Sequence, residues 1–187
     1  MNKTWLITGA ASGIGAATVR AALNAGDRVV ATARNRDKLQ ARLGDLADAR
    51  LALMPLDVTD AAQVTNTVAA AAAQFGQIDV LLNSAGYSLL GNYEELDDKS
   101  LRAQFETNFW GVSNLMRAVL PVMRRQRSGH VLNISSVAGA IGLKHCSAYG
   151  ASKFAVEGLS LAVAEEVKAF GIHITVVEPG FFRTDLL

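Results

Sequence analysis

The chain has 187 residues, of which half are hydrophobic, 19% are charged and three are proline. This composition supports one packed domain and excludes a disordered segment. With 18 basic against 17 acidic side chains the formal charge is +1, which lacks the cationic excess that nucleic-acid binding draws on.

Met1-Asn2-Lys3-Thr4 runs straight into a first strand, Trp5-Leu6-Ile7, so no signal peptide is expected. Further strands are predicted at Arg28–Thr32, Leu51–Met54, Asp79–Asn83, His130–Ser135 and Ile172–Val177. Their near-continuous apolar character suits a parallel sheet buried on both faces. Helical patterns lie between them. The clearest has Val64, Val68, Ala71 and Phe75 at steps of three and four, with capping residue types in Asp57-Val58-Thr59-Asp60 and a stop near Gly76. The longest uncharged run, Ala61 to Ile78, carries Gln63, Asn66, Gln74 and Gln77 and is not expected to span a membrane. Alternating strands and helices imply right-handed crossovers and a single doubly wound α/β domain. Gly86 to Asp98 reads as a loop bordering a site, before an apolar line of Leu101, Phe105, Phe109 and Val112.

The first strand ends in Thr8-Gly9-Ala10-Ala11-Ser12-Gly13-Ile14-Gly15, and a helical pattern follows from Ala16 through Leu23. Glycines there let backbone amides approach a pyrophosphate at a helix N-terminus. A tight turn that merely needs unusual backbone angles accounts for them equally well. Further along come Asp57-Val58, Asn83-Ser84-Ala85-Gly86, Ser135-Ser136, Tyr149 with Lys153, and Pro179-Gly180. Each falls at a C-terminal strand end or an adjoining helix start, where open α/β sheets bind ligands. This ordered set resembles the short-chain dehydrogenase/reductase family, beginning with its T-G-x-x-x-G-x-G turn. The departure is Ser84, where the family more often has a second asparagine.

The resemblance implies a Rossmann-type three-layer αβα fold with strand order 3-2-1-4-5-6 and an NAD(P) cofactor. Gly9, Ser12, Gly13, Ile14 and Gly15 would hold the pyrophosphate; Asp57 and Val58 would sit by the adenine. Ala85, Gly86, Pro179, Gly180 and Thr184 would complete the cofactor groove. Asp57 reads equally as a helix cap, and Asn83 as a support of the sheet or a ligand contact. After the second strand Ala33 stands where an NAD-type enzyme places an acid, followed by Arg34, Arg36 and Lys38. The expectation is a preference for NADP(H), with Asp37 leaving NAD(H) open.

Carbonyl reduction needs a hydride and a proton for the developing alkoxide. Tyr149 is the expected acid, with Lys153 an i+4 neighbour whose charge would lower the phenol pKa from about 10. Ser136 stands thirteen residues before Tyr149, as the resemblance implies for the residue that holds the substrate oxygen; adjacent strand residues face opposite ways, so only one of Ser135 and Ser136 is expected to address the site, and the family spacing selects Ser136. Asn108 matches the family's helix-borne asparagine, which implies a water linked to the lysine. The expected activity is an NADP(H)-preferring interconversion of a carbonyl and a primary or secondary alcohol. Tyr87, Leu89, Leu90, Ile141, Leu143, His145 and Cys146 are expected pocket walls, suggesting a partly apolar small-molecule substrate.

Cys146 is the single cysteine, and His130, His145 and His173 lack the spacing of a zinc site. No metal and a cytoplasmic setting are expected. By resemblance, the helices bearing Asn108 and Tyr149 would form a dimer or tetramer. The sequence ends soon after Pro179-Gly180, giving the expectation that the family's seventh strand and substrate-covering segment are absent. Two other readings compete: a nucleotide-binding regulatory or scaffold protein without efficient turnover, and a nucleotide-sugar epimerase or dehydratase.

Overall fold

The computed structural model describes residues 2–46 and 48–180; Thr184 lies outside them. Six strands form one sheet: β1 (Thr4–Ile7), β2 (Arg28–Ala33), β3 (Leu51–Pro55), β4 (Val80–Asn83), β5 (Gly129–Ile134) and β6 (Ile172–Val177). All pairings are parallel, as the apolar strands predicted, and the order is β3-β2-β1-β4-β5-β6, as the resemblance implied.

The helices are α1 (Gly13–Asn24), α2 (Arg36–Leu43), α3 (Ala61–Phe75), α4 (Asp98–Phe105), α5 (Gly111–Gln126) and α6 (Ser147–Val167). A π-helical turn, Glu106–Trp110, joins α4 to α5 without a break. Strand alternation divides the apolar residues between the sheet's two faces. Leu6, Leu81 and Val131 pack with α3, α5 and α6, while Ile7, Val29 and Leu82 pack with α1 and α2. The α3 boundaries follow from chemistry read in the sequence. The Asp60 carboxylate accepts from the Gln63 N–H at 2.9 Å, and Gly76 closes the helix at φ 82°.

The order reverses where β1 lies between β2 and β4, so the chain leaves β1 and β4 on opposite sides of a crevice. The site opens along the C-terminal ends of these strands and of β5. Among the described residues no helix is long and apolar enough to cross a membrane.

Candidate active site

The glycine-rich turn is built by close backbone contact. Gly9 has φ +66°, and a Cβ on it would lie 2.7 Å from the Ser84 carbonyl oxygen. A Cβ on Gly15 would lie 2.5 Å from the Gly9 carbonyl oxygen. The two glycines thus let β1, α1 and the strand-end segment after β4 meet. Thr8 locks this junction: its hydroxyl accepts from the N–H groups of Ser84 and Ala85, each at 3.1 Å. Helix α1 begins at Gly13, three residues before the predicted start, because the last glycines of the turn form its first helical turn. Ser12 is its N-cap but makes no side-chain bond to that turn.

A cavity of about 340 Å³ joins this turn to the end of β5 and the start of α6. Its wall includes Gly9, Ser12, Gly13 and Ile14 on one side, Ser136, Tyr149 and Lys153 on another, and Gly86, Pro179 and Gly180 between them. Of the expected pocket walls, Tyr87, Leu90, Leu143 and Cys146 face it. His145 lines a neighbouring hollow instead, and Leu89 and Ile141 are in neither wall.

Strand β5 ends at Ile134, so strand alternation does not govern Ser135 and Ser136, and both border the cavity. They differ in their partners. Ser136 hydrogen-bonds Tyr149, which lowers the phenol's pKa, and its hydroxyl accepts from the Ala138 N–H at 3.2 Å. The Ser135 hydroxyl is buried without a partner.

Lys153 is 6% exposed and its Nζ donates to the Ile134 carbonyl at 2.7 Å. Burial brings its pKa down from 10.5 to about 8, against a smaller opposing effect of Glu157. Nζ lies 5.7 Å from the centre of the Tyr149 ring. The expectation that this cation lowers the phenol is corrected by the structure. Burial raises the Tyr149 pKa, Ser136 opposes it, and Cys146 raises it further. The physical reason is that desolvation of the tyrosinate outweighs the Ser136 hydrogen bond, while the Lys153 ammonium points at the Ile134 carbonyl.

Asn108 stands behind the wall. It is fully buried on the π-helical turn, where its Oδ1 accepts from the Tyr87 N–H at 3.2 Å and its Nδ2 donates to the Tyr87 carbonyl at 2.9 Å. Nδ2 also donates to Ser152, whose hydroxyl donates to the Tyr149 carbonyl at 2.7 Å. A Cβ on Gly86 would lie 3.1 Å from the Asn108 Oδ1 and 3.8 Å from the Lys153 Nζ, so Gly86 is where these groups approach the cavity.

Gln104, which sequence reasoning missed, makes a second grip on the same loop. It is fully buried; Oε1 accepts from the Leu89 N–H at 2.6 Å and Nε2 donates to the Tyr87 carbonyl at 2.7 Å. Its signal is its place four residues before Asn108, one turn away on the same helical face.

Other expected residues lie off the cavity wall. Asn83 is buried and donates to the Asn133 side chain at 2.8 Å across the β4–β5 pair, so the structure displays its sheet-supporting side. Asp57 accepts from the Thr59 N–H and hydroxyl at 2.9 and 2.8 Å. Val58 is buried, occupying the space a Cβ on Gly111 would need. Ala85 has its N–H held by Thr8. Arg34 is exposed just past β2.

Comparison with known proteins agrees with this geometry. The sequence matches the short chain dehydrogenase family profile over residues 3–187. It is 45% identical over 185 residues to oxidoreductase BOA17 of Botryotinia fuckeliana, covering 99% of this chain and 68% of that protein. The chain spans about two thirds of the length of the curated relatives it matches. The solved structure of ElxO with NADP bound superposes with a TM-score of 0.94 at 33% identity, covering 99% of this chain and 76% of that one. A Burkholderia phymatum short chain dehydrogenase/reductase in complex with NAD gives 0.95 at 29% identity, covering 99% and 68%. The chain therefore belongs to the short-chain dehydrogenase/reductase family of oxidoreductases.

Proposed function

We propose that this oxidoreductase prefers NADP(H) and interconverts a carbonyl with a primary or secondary alcohol, with Tyr149 as general acid and base. The observation that carries this reading is the convergence of Ser136, Tyr149 and Lys153 on the cavity that also contains the glycine-rich turn.

The residues present fit a dinucleotide. The uncapped first turn of α1 offers N–H donors at the positive end of a helix dipole to a pyrophosphate. When bound, the nicotinamide supplies or accepts the hydride. Ser136 holds the substrate oxygen, and Tyr149 gives that oxygen its proton as negative charge develops. The raised Tyr149 pKa keeps the phenol protonated at neutral pH, which suits reduction; oxidation needs the tyrosinate and gains as pH rises. Lys153, anchored on the Ile134 carbonyl and lining the same cavity as Tyr149, would hold the cofactor's nicotinamide ribose and help restore the proton.

Relatives bind either dinucleotide, NADP in ElxO and NAD in the Burkholderia phymatum protein; Ala33 followed by Arg34 supports NADP(H) here. The reading extends to a cytoplasmic homo-oligomer. Its contact face would use Trp110, Phe154 and Leu161, which are 49, 47 and 67% exposed.

Tyr149→Phe tests the mechanism. Assayed by NADPH absorbance across ketones and aldehydes, it should lose about 10²- to 10⁴-fold in kcat with the NADPH Kd unchanged. Full turnover by that variant overturns the assignment.

A further inference from the structure

The cavity changes character from its depth to its mouth. Ser136, Tyr149 and Lys153 supply its polar end, whereas Leu90, Val137 and Leu143 supply an apolar wall. Those three apolar residues are 46, 37 and 38% exposed, and nearby Ile141 is 53% exposed. Backbone hydrogen bonds make the mouth one surface. Gly91 pairs with Cys146 and donates to the His145 carbonyl at 3.0 Å, which sets Leu90 beside the segment carrying Leu143. The Cys146 N–H donates to the Leu143 carbonyl at 3.1 Å, and the Ile141 N–H to the Val137 carbonyl at 3.0 Å. Four large apolar side chains exposed together mark a binding surface more than chance exposure does. Among the described residues lining the cavity there is no carboxylate, and the one cation is Lys153 at the polar end, where its Nζ gives one of its three N–H groups to the Ile134 carbonyl. At the apolar end no lining residue is charged, so a carboxylate on the tail meets no counter-charge there.

We infer that the mouth seats a hydrocarbon tail: the substrate is an uncharged ketone or aldehyde, or its alcohol, whose apolar chain runs from Ser136 and Tyr149 across Leu90, Val137 and Leu143. This rests on the proposed carbonyl chemistry, because that reading fixes the polar end of the substrate. Continuity with the candidate catalytic cavity and the lack of charge in the wall select a substrate tail as the occupant.

Equilibrium binding tests the tail separately from turnover. Dissociation constants of straight-chain methyl ketones of four to eight carbons are measured by ligand-observed NMR on the 187-residue chain, with and without NADPH. Affinity should rise about fourfold per added methylene. Leu143→Ser and Leu90→Ser should flatten that trend, while Ala70→Ser, on the exposed side of α3, should preserve it. An oxo-carboxylate of eight carbons should bind at least about tenfold more weakly than the eight-carbon ketone. Affinity that ignores chain length, or a carboxylate that binds equally well, overturns the inference. A flat series is also the result if another protein segment or a second copy fills the mouth, and sedimentation that changes with Leu143→Ser would identify the second copy. If Tyr149-dependent reduction of butanone persists beside a flat series, only the tail assignment falls. A flat series without any turnover that Tyr149→Phe alters removes the functional reading as well.

Discussion

Around β1 and α1 the site is made of backbone, whereas around β5 and α6 it is made of buried polar side chains. On the first side Gly9 and Gly15 bring chain segments to distances that leave no room for a Cβ, and precision comes from steric exclusion. On the second side Gln104, Asn108, Ser152 and Lys153 are at most 6% exposed, and precision comes from hydrogen bonds that must all be made. The two constructions fail differently. A changed glycine disturbs fold and site together, while a changed polar residue can separate function from stability.

The largest effect is expected on the backbone side. Gly9→Ala forces a Cβ into the left-handed region and against the Ser84 carbonyl, 2.7 Å away. Adding the backbone strain to the overpacking gives a destabilisation of about 4 kcal/mol, read as a fall in the denaturation midpoint together with loss of NADPH fluorescence enhancement. Gly142→Ala is the control, since nothing lies within 4 Å of its Cβ position; it should stay within about 0.5 kcal/mol of wild type. Equal midpoints for the two variants would remove the steric account of the turn.

Lys153 sharpens the contrast from the other side, because its burial makes it a stability liability. Its pKa falls from 10.5 to about 8. Below pH 8 the folded chain carries the full desolvation cost of the buried cation. Between about pH 8 and 10.5 the unfolded chain holds a proton that the folded chain has lost, so stability rises with pH in that window. Lys153→Met should therefore raise stability at neutral pH by on the order of 3 kcal/mol while abolishing turnover. That advantage should shrink as pH climbs through the window. Urea midpoints at several pH values check this, and a variant less stable than wild type at pH 7 would contradict it.

The same contrast explains what sequence could reveal. Backbone construction leaves a strong trace, since only glycine satisfies positions such as Gly9 and Gly15; apolar strands between periodic helices pointed to a doubly wound parallel sheet, and the family resemblance supplied its strand order. The Tyr149–Lys153 pair was also legible, because i+4 spacing puts both on one helical face. Side-chain construction leaves a weaker trace. In the helical stretch after residue 97 the visible pattern is the apolar line of Leu101, Phe105, Phe109 and Val112, yet only Val112 of the four is buried. The fully buried positions are Gln104 and Asn108, since their partners are backbone groups of a loop distant in sequence. The direction of the Tyr149 shift was equally out of reach. It depends on where the Lys153 ammonium points and on how much water the phenol loses, both set by tertiary packing.

Gln104 tests whether the side-chain half positions substrate or merely holds the fold. Gln104→Leu removes two hydrogen bonds and leaves the Leu89 N–H without its acceptor. A loss of about 2 kcal/mol in stability is expected. Because Asn108 still grips Tyr87, the catalytic groups should stay in place while the loop loosens. The carbonyl substrate's KM should then rise several-fold more than kcat falls, with the NADPH Kd unchanged. A drop in kcat alone would show that Gln104 acts on Tyr149 rather than on the wall.

The smallest effect is expected where the backbone half meets solvent. Arg34, Arg36 and Lys38 gather at the entrance to α2, whose N-cap Asn35 accepts from the Lys38 N–H at 2.9 Å. All three cations are exposed, and among the described residues none of them joins an ion pair. They and the positive end of the helix dipole are therefore available to a phosphate placed past Ala33. Arg34→Ala should weaken NADPH by about 1.5 kcal/mol, the lower end for a hydrogen bond to a charged group because the site is solvated. That is roughly a tenfold change in Kd. NADH, without the 2′-phosphate, should bind the variant as it binds wild type. The difference should also narrow with added salt, because screening acts on an exposed charge. An equal loss for both dinucleotides would mean that Arg34 shapes the groove rather than selects the phosphate.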